Sequence, residues 1–174
     1  MKRKTPFVIL GLLSDEDLTG YQIQKHIQNR FTFFWNESYG QLYPELKSLV
    51  QNGWIEAKPQ DSPRKSILYS ILPKGLRALE EWLKEKPEKE STRLELLLKV
   101  YFSTHLEPAI LKEHIQGFMM DHLDELTLLN HFKMELTPIK HLDNHQAILD
   151  VIEFGIQTNQ AYIQWCQTQL NKEN

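Results

Sequence analysis

The sequence predicts a mainly α-helical chain of 174 residues with a small β-ribbon, in two domains over residues 1–87 and 88–174. Three patterns predict it. Apolar residues recur at offsets of three and four through most of the chain, which is the spacing of one helix face. Only residues 54–58 and 66–72 read as short strands, and the PQDSPRK stretch between them supplies the proline and polar residues of a turn. Residues 85–90, EKPEKE, are charged and interrupted by Pro87, the composition of a domain boundary. Charge changes sign across it: residues 1–87 carry 13 of the 20 Lys/Arg and 10 of the 23 Asp/Glu, so the first part is net positive and the second net negative.

The first helix opens at Thr5-Pro6, a capping residue followed by proline, and its apolar run over residues 7–13 marks it as core. Residues 14–18 read as an acidic turn. Thr19 and Gln22 then form a capping box for a second helix, which carries Ile23 and Ile27 and ends near Arg30. The connector at residues 31–37, FTFFWNE, is too aromatic to lie in water and is expected to fold back on something apolar.

A short third helix follows, with Ser38 and Gln41 in the pattern of a second capping box and a predicted start near Ser38. Leu42, Leu46, Leu49 and Val50 form its packing face, while Gln41, Glu45, Lys47, Ser48 and Gln51 lie opposite. Pro44 is tolerated only near the first turn, where the missing N–H costs little. Asn52-Gly53 supplies a left-handed stop before the ribbon. A fourth helix opens at Pro73 and places Leu76, Leu79, Trp82 and Leu83 on one face.

The second domain reads as helical throughout. Thr92 and Glu95 suggest a cap for a helix carrying Leu94, Leu97, Leu98 and Tyr101, a long helix runs from Pro108 to about Leu136, and a last one begins near Asn144. The last helix carries Ile148, Ile152, Gly155, Asn159, Tyr162 and Cys166 at alternating spacings of four and three, which predicts a dimerisation seam. Gly155 and Asn159 would mark a close helix approach or a polar contact that fixes alignment.

Helix, helix, short helix, ribbon, helix is the order of a winged helix-turn-helix, whose third helix enters the DNA major groove. The residues ILGLL at 9–13, Gly20, Tyr21 and Ile23, Phe34-Trp35, Gly40, Tyr43-Pro44, Leu46, Leu49, Gly53 and Ile55, then Tyr69, Ile71 and Gly75 together resemble the PadR family of transcriptional regulators. The group it resembles has a long C-terminal helical domain, which LLLKVYF at residues 96–102 also resembles. Leu72 stands where that family commonly has a threonine cap. The resemblance implies a homodimer on operator DNA of approximate two-fold symmetry, usually a repressor, released by a small aromatic effector such as a phenolic acid.

On that fold, Gln41 is suited to an adenine edge, Lys47 to a phosphate or guanine, and Tyr43 and Tyr21 to phosphates. Ser38 and Gly40 at the helix start, Arg64 and Lys65 at the ribbon tip, and Lys2, Arg3 and Lys4 in the N-terminal arm complete the expected DNA contacts. Trp35, Tyr39 and Tyr101 are the expected effector residues, since ligand pockets favour aromatic walls. Histidines 141 and 145 share a four-residue spacing, but no acidic or thiol ligand accompanies them in a known order, so no metal or cofactor is expected. Met119 and Met120 read as filler in a core or interface.

No Gly-rich phosphate loop or nucleophile elbow is present, and Cys166, the single cysteine, sits where an inert buried thiol belongs, so an enzyme is not expected. A winged helix that binds protein instead of DNA is the competing reading. One cysteine fits a reducing compartment, and the absence of a secretory signal or a long apolar run predicts a cytoplasmic protein.

Overall fold

The computed structural model describes residues 4–31, 34–35, 41–60, 66–89, 92–139 and 144–172, and the chain divides into two compact units, Met1–Lys89 and Glu90–Asn174. The first unit runs α1 (Thr5–Asp15), β1 (Leu18–Thr19), α2 (Gly20–Arg30), α3 (Leu42–Gln51), β2 (Ile55–Pro59), β3 (Ile67–Ile71) and α4 (Pro73–Lys84). The second has α5 (Glu95–Tyr101), a single 3-10 turn, α6 (Pro108–Leu136) and α7 (His145–Asn171).

Ile9, Leu10, Leu12 and Leu13 of α1 are buried together with Ile23 and Ile27 of α2, Leu42, Leu46 and Leu49 of α3, and Ile55 and Tyr69 of the sheet. At about 25 cal/mol per Å² of apolar surface removed from water, this cluster is what holds the three helices to the sheet. Phe7 stacks on Trp82 at 4.7 Å between centroids and closes the α1–α4 side.

The sheet has one strand more than the sequence suggests. Leu18, read as the end of an acidic turn, and Thr19, read as a helix cap, pair with Tyr69 and Leu68, giving the order β1-β3-β2. Two residues are too few to show a period-two pattern, so this strand has no local signature. The hairpin itself is antiparallel, with Ile55 opposite Ile71 and Pro59 opposite Ile67.

Of the caps predicted for α1, α2 and α5, that of α2 forms and the others do not, since Thr5 lies inside α1 with Lys4 as the cap residue. Thr19 Oγ1 accepts from the Gln22 backbone N–H at 3.3 Å while Gln22 Oε1 accepts from the Thr19 N–H at 2.9 Å, closing the capping box of α2. For α5 the cap residue is Leu94, and no side chain caps the helix, so the Thr92–Glu95 box is corrected. Helix α3 is described from Leu42, with Gln41 as its cap residue, and the predicted start near Ser38 lies outside the described residues. Pro44 therefore sits in its first turn. At the other end Gly53 has φ +66°, and the N–H groups of Gly53 and Trp54 donate back to Val50 and Leu49 at 3.0 Å.

Gly75 explains how α4 reaches the sheet. A Cβ there would overlap the Trp54 carbonyl, so only hydrogen allows the helix to lie against the start of β2. The Leu72 N–H donates to that same carbonyl at 2.9 Å and fixes the entry of α4 where a side-chain cap is missing.

In the second unit α7 packs along α6. Ile152, Gly155, Ile156, Asn159, Ile163 and Cys166 are buried within the single chain. This corrects the seam expected between chains. The four-three stripe of Ile148, Ile152, Gly155, Asn159, Tyr162 and Cys166 is the face toward a neighbouring helix, and α6 of the same chain supplies that neighbour. Asn159, 4% exposed, donates from Nδ2 to the Gly155 carbonyl at 2.9 Å, leaving Oδ1 to accept from His122 Nδ1 at 2.6 Å. Burial pushes the Cys166 thiol above its ordinary value, which keeps it protonated and unreactive.

Candidate nucleic-acid interface

Leu42, Leu46 and Leu49 fasten one side of α3 to the core, which leaves Gln41, Tyr43, Pro44, Lys47 and Gln51 exposed on the remainder. A helix held in this way offers side chains and little backbone, as insertion into a groove about 12 Å wide requires. Lys47 makes no ion pair among the described residues, so its charge is available.

The start of α2 lies beside the start of α3. A Cβ at Gly20 would stand 2.9 Å from Tyr43 Cε1, so glycine here makes room for the tyrosine ring. Tyr43 remains 59% exposed and Tyr21 68%, and both can offer a hydroxyl to a phosphate. Tyr69 behind them is buried, which raises its phenol above the ordinary value, with Tyr43 adding to the shift. It acts as packing for this end of the site.

Lys74 Nζ donates to the Asn52 carbonyl at 2.9 Å, placing a positive charge at the C-terminus of α3 and offsetting its dipole. Its distance of 22 residues from Asn52 gives no local signal. Lys4, expected as a DNA contact, pairs with Glu88 at 3.1 Å and is 15% exposed. Lys2, Arg3, Ser38, Tyr39, Gly40, Arg64 and Lys65 lie outside the described residues.

Of the expected effector residues, Tyr101 is 80% exposed and its ring meets Phe102 edge-on at 5.0 Å. Trp35 is different. Its backbone N–H donates to the Phe31 carbonyl at 2.6 Å, but its indole Nε1 is buried with no hydrogen-bond partner among the described residues. Such orphan donors are uncommon and call for an acceptor.

Three helices, a three-stranded sheet whose last two strands form a hairpin, and a closing helix define the first unit as a winged helix-turn-helix followed by a helical second unit. Residues 9–81 match the Transcriptional regulator PadR-like family and residues 92–172 match Virulence activator alpha C-term. The first unit thus carries a domain similar to the PadR-like transcriptional regulators, and the second one similar to the virulence activator alpha C-terminal domain. It is 33% identical over 103 residues to the negative transcriptional regulator PadR of Bacillus subtilis, covering 58% of this chain and 57% of that protein. With a second relative covered to 43%, the chain spans about half the length of the curated relatives it matches.

The PadR-like transcriptional regulator BC1756 from Bacillus cereus has a TM-score of 0.81 at 25% identity, with 97% of each chain covered. Bacillus subtilis PadR solved with operator DNA gives 0.85 at 24% identity over 99% of each chain, and the same regulator with p-coumaric acid gives 0.79 at 24% over 98% of each. These likenesses establish the fold through both units. No helix among the described residues is long and apolar enough to cross a membrane.

Proposed function

We propose that this chain is a cytoplasmic, non-enzymatic repressor that binds operator DNA as a homodimer and releases it when a small aromatic effector binds. The carrying observation is the exposed polar face of α3, presented beside Tyr21 and Tyr43 on a family-matched winged helix. Gln41 reads a base edge, while Lys47, Tyr43 and Tyr21 hold phosphates. Two copies would place two such helices about 34 Å apart, one turn of DNA.

The second copy is brought by the second unit. Leu98, Tyr101 and Phe102 of α5 and its connection, with Val151 and Phe154 of α7, are exposed in the single chain, and apolar surface of this kind marks an association site. The effector reading is supported by Trp35, whose orphan indole N–H would be satisfied by a carboxylate or phenol oxygen. Release requires the effector to bind the DNA-incompetent arrangement more tightly than the competent one.

Footprinting on cellular DNA would find the operator, and binding would then be measured on operator and random DNA. Gln41→Ala should lose about 1–3 kcal/mol on the operator and little on random DNA, whereas Lys47→Ala should weaken both and lower the salt slope by about one. Equal losses on both DNAs from Gln41→Ala would reject base reading. Titration of p-coumaric acid against the operator complex tests release, and Trp35→Leu should retain DNA binding while responding at higher ligand concentration.

A further inference from the structure

A cleft of about 220 Å³ lies wholly within the second unit, lined by Leu94, Leu96 and Leu97 at the start of α5, Phe118 of α6, and Ala161, Tyr162 and Trp165 of α7. We infer that this cleft is a binding site for a neutral, single-ring aromatic molecule, held between α5 and the α6–α7 pair. It is separate from Trp35 and does not depend on the operator-binding reading.

Size sets the first limit. An apolar cavity of about 150 Å³ accommodates benzene, so this one takes one ring and a small substituent, not a fused polycycle. A partner helix is the wrong shape for it, because helix docking needs anchors spread over two turns, about 10 Å, and not one compact depression. Chemistry sets the second limit. Three of the seven lining residues are aromatic, and none carries a carboxylate, ammonium or guanidinium. A ring would find faces and edges to pack on, and a charged group would lose hydration without a counter-ion.

The walls are held in advance. Behind the cleft, the His122 ring meets Phe118 at 4.3 Å and Tyr162 at 4.6 Å between centroids, and Phe118 meets Tyr162 at 5.6 Å. His122 is itself fixed by Asn159. Two of the aromatic walls are therefore positioned before any ligand arrives, which lowers the ordering cost of binding. The third side is α5, a helix of only seven residues with no side-chain cap.

The test uses the full chain and 4-fluorophenol, followed by fluorine NMR. Saturable binding is expected, with the dissociation constant raised at least tenfold by Ala161→Leu, whose larger side chain fills the cleft while preserving helix propensity. No saturable binding, as would follow if a second copy covers the cleft, or equal affinity in Ala161→Leu, would overturn the site. Should Ala161→Leu misfold, contacts between the probe ring and the Leu94 and Leu97 methyl groups, measured by nuclear Overhauser effects in the unaltered chain, decide instead. Their absence overturns the proposal, and DNA release plays no part in either readout.

Discussion

The two units bury their apolar residues in opposite ways. In the first, α1 is surrounded: it touches α2, α3, β3 and α4, and its leucines and isoleucine disappear into one continuous core. In the second, each long helix has one long neighbour, so α6 and α7 bury one face against each other while Leu128, Met134, Val151 and Phe154 stay exposed. A two-helix arm has too much surface for its volume. The difference teaches that the first unit is completed by its own sequence, whereas the second offers a finished inner face and an unfinished outer one.

The sharpest way to break this comparison is to put the same charge on each face of α7. Ile152→Asp buries an unpaired carboxylate against α6 and should cost about 3–5 kcal/mol, seen as a collapse of the urea midpoint and of helical circular dichroism. Phe154→Asp, two residues away and 64% exposed, should leave circular dichroism intact and shift light scattering from dimer to monomer. If both variants unfold alike, the inner and outer faces are not distinct.

In the first unit, Leu46→Ala opens a cavity under α3 and should cost about 2–5 kcal/mol in urea denaturation. Operator binding should then fall with the folded fraction and recover at low temperature, unlike the loss from Gln41→Ala. A smaller effect, about 1–3 kcal/mol, is expected for Asn159→Leu, which leaves the His122 N–H without its acceptor. Replacing both, His122→Leu with Asn159→Leu, should restore most of the stability; a further loss would show that packing, not polarity, is at stake.

The smallest expected effect is at the surface of the arm. Lys133, with help from Gln157, lowers the Glu153 carboxyl below its ordinary value through hydrogen bonds. A lowered folded-state value means that this contribution is present above the ordinary carboxylate range and is lost as pH falls through the lowered value. Being solvent-exposed, it should appear only as a slight steepening of the acid limb in thermal melts, absent in Glu153→Gln.

What could be read from the sequence follows the range of each interaction. The leucine face of α3, the Thr19–Gln22 box and the Asn52-Gly53 stop are made by residues within one or two turns, so spacing discloses them. The pairing of Leu18 and Thr19 with β3, and the reach of Lys74 to Asn52, join distant parts of the chain and leave no periodicity. Thr92 and Glu95 show the converse failure: the right residue types were present, but α5 begins at Glu95 itself, with Leu94 at the cap position. The α7 stripe was visible as a stripe, yet periodicity says only that a helix lies opposite, not whose helix it is. At the interface, the side chains on the described part of α3 were legible, whereas the ion pair that occupies Lys4 was not.

The His122–Asn159 bond also makes the α6–α7 arm a device with discrete stops. Leucine and isoleucine packing alone tolerates sliding, since one apolar side chain replaces another at small cost. A donor and acceptor sealed between the helices do not, because displacement by one turn, about 5.4 Å, would strand both in an apolar gap. The arm is thereby indexed like a pin in a slotted rod, the alignment of α6 on α7 being held at His122, near the middle of α6, and again at the Lys133–Glu153 pair.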